Sequence, residues 1–165
     1  MTLSPRETTF VVPFYLNLMG ENATWVGGEV WDGVVTVGRT ATLDDVLWML
    51  RVGAWRPVVM GAWLSLRFDR AAVGAAVLDA LHKSAGSLTA PPLAVAAFIV
   101  VGDEAAAPAL RKSMARSDEG SVGVLDAALE KLGADPGQSV SEESRASFSE
   151  MVVFGERLRE ALTGA

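Results

Sequence analysis

The chain has 165 residues, enough for one domain with its own core. Half of them are hydrophobic and 21% are charged, a globular composition and not a disordered one. Cysteine is absent, which excludes a disulfide framework, a thiolate nucleophile and a Cys-ligated metal, and the net charge of −6 is opposite in sign to what phosphate contacts with nucleic acid demand.

Residues 1–7 show no basic region followed by an apolar stretch, so no secretory signal is expected. The longest apolar run, 91–101, is well short of the roughly 20 residues a membrane-spanning helix needs. A cytoplasmic protein with no membrane partner is therefore expected.

The first segment with a local signal, 25–40, reads against helix. It holds Gly27, Gly28, Gly33 and Gly38 around Val34-Val35-Thr36-Val37, and Asp32-Gly33 between valine-rich stretches is a hairpin signal. A small β-hairpin or an irregular insertion is expected there. A helix follows over Leu43–Leu50, with Thr42 and Asp45 placed to cap it and Gly53 placed to end it. Trp55–Phe68 forms the next, with Pro57 tolerated in its first turn. In Ala71–Ser84, Val73, Val77, Leu78 and Leu81 recur at spacings of three and four and give one apolar face.

Thr89-Ala90-Pro91-Pro92 opens a fourth helix, buried on most sides, that ends at Gly102. Asp103 is placed to cap a fifth that runs to Arg116, and Gly120–Leu132 makes a sixth, closed by Gly133. Residues 133–138 are a loop by every local signal. Ser139 with Glu142 then opens a C-terminal capping helix over about 141–162, whose apolar face is Phe148, Met151, Val152, Leu158 and Leu162.

Residues 92–103 and 123–134 align without a gap at an offset of 31. In both, two alanines precede a large apolar residue, another apolar residue follows three positions on, and glycine closes the helix. Ala62-Trp63 followed by Leu66 repeats the theme about 35 residues earlier. Small pairs let helices approach closely, and a period in the thirties built of helix pairs marks an α-solenoid.

The stretch 102–110, with the turn 117–122 after it, resembles short HEAT repeats of the phycobilisome-lyase type, although Gly123 stands where such repeats usually carry arginine. Val12-Pro13-Phe14-Tyr15-Leu16, Leu43-Asp44-Asp45-Val46-Leu47, Trp55-Arg56 and Gly61-Ala62-Trp63-Leu64 are similar to an uncharacterised bacterial family of small helical proteins, known chiefly as a domain of unknown function. The resemblance implies an all-α, solenoid-like fold and no established chemistry. The expectation is one all-α domain over 1–165, a short HEAT-like α-solenoid of about seven helices with an insertion at 25–40.

No catalytic set is legible. His82 is the only histidine, no loop has calcium-site spacing, and neither a nucleophile elbow nor a phosphate-binding glycine loop is present. No cofactor and no enzymatic activity are expected. One enzyme reading deserves a test: some DNA glycosylases resemble this architecture, and Trp55, Arg56, Trp63 and Asp69 would serve if they shared a cleft.

Charge is more informative than motif. Up to Ser117 acidic and basic residues balance, and the whole net charge falls from Asp118 onward, where ten acidic residues face four basic ones. A repeat domain with an acidic end reads as a module that binds another protein, a basic toxin or enzyme, in the manner of an immunity protein or antitoxin. Asp126, Glu130, Glu142, Glu143, Glu150, Glu156 and Glu160 are the expected contacts, with Trp25 and Trp31 beside the glycine-rich segment. A regulatory scaffold docking a host enzyme, or a small-ligand site around Trp25 and Trp31, are the alternatives.

Overall fold

The computed structural model describes residues 3–102 and 104–164, and the regular structure among them is helical throughout. The α-helices among the described residues are α1 (Tyr15–Leu18), α2 (Gly28–Thr40), α3 (Leu43–Arg51), α4 (Trp55–Ser65), α5 (Arg70–Lys83), α6 (Ala90–Ala96), α7 (Ala107–Met114), α8 (Glu119–Lys131) and α9 (Glu142–Thr163). The helices expected from local pattern are α3 to α9; α1 and α2 are additional.

Helix ends follow local chemistry. Thr42 accepts from the Asp45 N–H while the Asp45 carboxylate accepts from the Thr42 N–H, a reciprocal capping box. α9 starts from Ser141, whose hydroxyl accepts from the Ser144 N–H at 3.1 Å, and not from Ser139. α6 continues through a wider turn over Ala97–Val101 and stops at Gly102, whose φ of +71° a side chain would disfavour. The expected cap at Asp103 lies outside the described residues.

The hairpin expectation at 25–40 is overturned, because α2 occupies most of that segment. Its valines obey a helical period: Val34 and Val35 are buried, with Val30, Trp31 and Val37 packed against the core. Its glycines are packing residues and not breakers. A Cβ on Gly38 would come within 2.5 Å of Leu162 and 2.9 Å of Leu64, and one on Gly33 within 2.9 Å of the Phe14 ring. Each costs up to about 1 kcal/mol of helix propensity relative to alanine, and the close approach of α2 to α9, α4 and the N-terminal turns offsets it.

α3, α5 and α7 follow one another on one side of the molecule, and α4, α6 and α8 on the other, each odd helix pairing with the even helix after it. The alanine pairs of the offset-31 alignment, Ala96-Ala97 and Ala127-Ala128, are all buried, and α6 packs against α8. Every residue of α6 is buried, with α4 and α8 beside it and α5 and α9 packed on it. α9 lies across α6 and α8, and α2 packs on α9. The long C-terminal helix also packs against the turn at Asn22–Trp25, which brings its side chains beside the N-terminal turns.

Candidate partner-binding groove

Two short stretches far apart in sequence build the groove. A tight helical turn over Asn22–Trp25 packs on the first half of α9. The Ser147 hydroxyl of α9 donates to the Glu21 carboxylate, and the Asn22 amide donates to the Leu16 carbonyl at 3.0 Å. Between this turn, the start of α8 and the start of α9 lies a groove of about 550 Å³. Its polar lining is Glu21, Glu119, Glu143 and Glu150 with Thr24, Ser144 and Ser147, and no lysine or arginine lines it.

Trp25 stands on its rim with 89% of its surface exposed. Large apolar side chains on a folded surface are unremarkable singly, but an aromatic at the edge of a charged concavity is the composition of an interface hot spot. Further along α9, Val153, 55% exposed, lines an adjoining depression with Thr24, Val26 and Phe154, and Glu150 and Arg157 are part of the same lining. Four carboxylates with no cation among them create a negative field, and an exposed indole face attracts cations through its ring quadrupole.

The sequence-derived contacts divide sharply here. Trp25, Glu143 and Glu150 converge on the groove. Trp31 is close by but engaged: it meets Phe154 edge-on at 5.6 Å, and the Arg157 guanidinium sits 5.1 Å above its ring. Glu130 is neutralised by a two-pronged pair with Arg145 at 2.7 and 2.8 Å, which holds its carboxyl below the usual range and raises Arg145. Glu142 is exposed at the first turn of α9. Glu156 and Glu160 lie further along α9, beside Phe98, Ile99 and Arg159.

Asp126 has to be withdrawn as a partner contact, since it is fully buried. One of its oxygens accepts from the Gly137 N–H at 2.9 Å and ties down the loop before α9; the other has no hydrogen-bond partner among the described residues. The helical period of α8 turns it inward, a fact invisible to a count of charges. Glu21 escaped the sequence reading for the opposite reason, while Glu119 lies in the acidic third but was not among the expected contacts. Glu21 belongs to the charge-balanced part of the chain and reaches the groove only because the turn that follows it docks on α9.

The glycosylase arrangement is not assembled. Trp63 is wholly buried, Trp55 begins α4, and Asp69 lies beyond its far end, capping α5 by accepting from the Ala72 N–H at 2.9 Å. α4 has 11 residues, a length of roughly 16 Å at the α-helical rise. His82 is exposed on α5. Among the described residues no three His, Asp or Glu side chains converge as a metal site, and no helix is long and apolar enough to cross a membrane. Compared with protein-family models, curated proteins and solved structures, the chain has no significant match.

Proposed function

We propose that this chain is a protein-binding module of HEAT-like helical repeats, and that the groove at Trp25 receives a basic segment of its partner. Within that class, the reading is an immunity or antitoxin-like inhibitor acting in the cytoplasm without cofactor or catalysis. The observation that carries it is the joining of a nearly fully exposed tryptophan to four carboxylates with no cation between them.

The alternating stacking of α3 to α8 is what a repeat solenoid produces, and it supports the repeat reading. A solenoid commonly binds through an open face, but here α9 covers α6 and α8. Binding through the acidic outer edge of α9 is therefore favoured over binding in the solenoid interior. The charge pattern suits a partner rich in arginine and lysine, with long-range attraction raising the rate of encounter.

The test is affinity capture from native lysate with the wild-type chain and with a Trp25→Ala, Glu143→Lys, Glu150→Lys variant, followed by expression of the captured partner alone. A basic partner lost by the variant, toxic alone and silent when co-expressed, supports the whole reading. A non-toxic partner with the same dependence converts it to a regulatory scaffold. A partner held equally by the variant overturns the groove as the binding site.

A further inference from the structure

Where α3 and α5 end and α4 begins lies a second cavity of about 500 Å³. Its apolar walls are Leu50, Trp55, Val58 and Ala80. That volume is within the range of small-molecule sites, which are mostly apolar with a few placed polar groups. Trp55 is a pre-set wall: its ring meets Tyr15 edge-on at 5.4 Å, and the Arg56 guanidinium lies 4.8 Å from its centre.

Three polar features point one way. Arg51 lines the cavity, and its guanidinium makes no ion pair or hydrogen bond among the described residues. Lys83 lines it too and is paired with Asp79 at 2.7 Å, so the lining carries a net positive charge on a protein of net −6. Arg51 and Lys83 are each the last residue of a helix, where a cation also complements the helix dipole. That role needs neither a cavity between them nor what lies at its side.

At that side, Ser84 and Thr89 line the cavity with 7% and 6% of their surface exposed. Their hydroxyls bond each other at 2.6 Å, and neither hydroxyl has another hydrogen bond among the described residues. One hydrogen bond uses one of the two O–H protons, so the buried pair keeps a proton to donate. The first turn of α4, opening at Trp55 beside Gly53, has no side-chain cap from Ala54 and leaves further donors at the same mouth.

We infer that this cavity binds a small amphipathic monoanion, its aromatic or alkyl body against Trp55, Leu50 and Val58 and its carboxylate or sulfonate held by Arg51, Lys83 and the Ser84–Thr89 hydroxyl pair. The inference is independent of the partner groove, which shares no lining residue with it.

The test uses the full chain and two fluorescent probes, 8-anilinonaphthalene-1-sulfonate and the uncharged N-phenyl-1-naphthylamine, with decanoate as competitor. Saturable one-to-one binding of the sulfonate is expected, displaced by decanoate, with the uncharged probe bound more weakly. Arg51→Glu, at an exposed position, should weaken the sulfonate about tenfold or more, the scale of one charge-assisted contact. Ala85→Trp, an exposed lining position, should block both probes while near-ultraviolet circular dichroism stays native. Absence of saturable binding overturns the site. So does a sulfonate affinity unchanged in Arg51→Glu and Ala85→Trp, or equal binding of both probes.

Discussion

The indole N–H of Trp63 donates to the carbonyl of Leu18 at 2.8 Å, and both residues are fully buried. The bond ties α1 to the last turn of α4, and the Trp63 ring also meets Phe154 of α9 edge-on at 5.1 Å. Trp63 thus joins the N-terminal turns, the helical stack and the C-terminal helix. Trp63→Phe should cost roughly 1–3 kcal/mol, because it leaves a buried carbonyl unpaired and a void beside it. Urea denaturation reads the loss as a lower midpoint, and no change would mean that water replaces the indole.

Two glycine-to-alanine substitutions should have opposite signs. A Cβ on Gly61 would sit 3.0 Å from the Leu50 backbone nitrogen and 3.0 Å from the Met49 Cβ, rigid atoms of α3 that cannot step aside. Gly61→Ala should destabilise even though alanine gains about 1 kcal/mol of helix propensity. Gly120 of α8 meets only the Asp118 carboxylate at 3.7 Å, so Gly120→Ala should stabilise by up to about 1 kcal/mol. Thermal melts of the two variants beside wild type decide both.

The start of α3 carries an acid-sensitive contribution. Burial raises the Asp45 carboxyl, but hydrogen bonds from Thr42 and the Arg6 guanidinium at 2.8 Å outweigh it and hold its pKa below the ordinary value. A carboxyl depressed in the folded state stabilises fully above its unfolded value, about 3.9, and the gain is lost as pH falls through the lower folded value. Asp45→Asn should therefore be less stable than wild type at pH 7, and the gap should close as pH falls through the lowered folded value. Denaturant midpoints at neutral pH and in acid check the sign.

Trp25 makes the clearest separation of binding from folding. With 89% of its surface exposed, Trp25→Ala should change stability by no more than about 0.5 kcal/mol. Affinity for a groove-bound basic partner should fall about 30-fold, as for an interface hot spot of about 2 kcal/mol. Glu143→Lys with Glu150→Lys should mainly slow association and flatten its salt dependence, which stopped-flow mixing at two ionic strengths resolves.

Asp126 should govern the loop before α9. Asp126→Ala removes the acceptor of the Gly137 N–H, so hydrogen exchange at the Gly137 amide should accelerate in the variant. Asp126→Asn keeps an acceptor for Gly137 and should preserve that protection. Equal exchange in all three proteins would show that the loop is held by other contacts.

Most helices were legible because their signals are local. Thr42 with Asp45 marks the start of α3, the four-residue spacing of Val73, Val77 and Leu81 marks α5, and the alanine pairs mark buried positions. α2 was misread because Gly33 and Gly38 are read as breakers without their neighbours, and only Phe14, Leu64 and Leu162 make them useful. The groove was half legible. Glu143 and Glu150 stood out in the acidic third, but Glu21 did not, and Asp126 stood out wrongly.

The sequence by itself determined a mainly helical class, most helix boundaries from α3 onward, and an acidic C-terminal third. These depend on capping, periodicity and composition, which act over a few residues. Only the tertiary structure decided that α9 crosses α6 and α8, that the turn at Asn22–Trp25 docks on it, and which carboxylates face water together. Those outcomes depend on contacts such as Ser147 with Glu21, 126 positions apart, where side-chain fit and not local preference sets the arrangement.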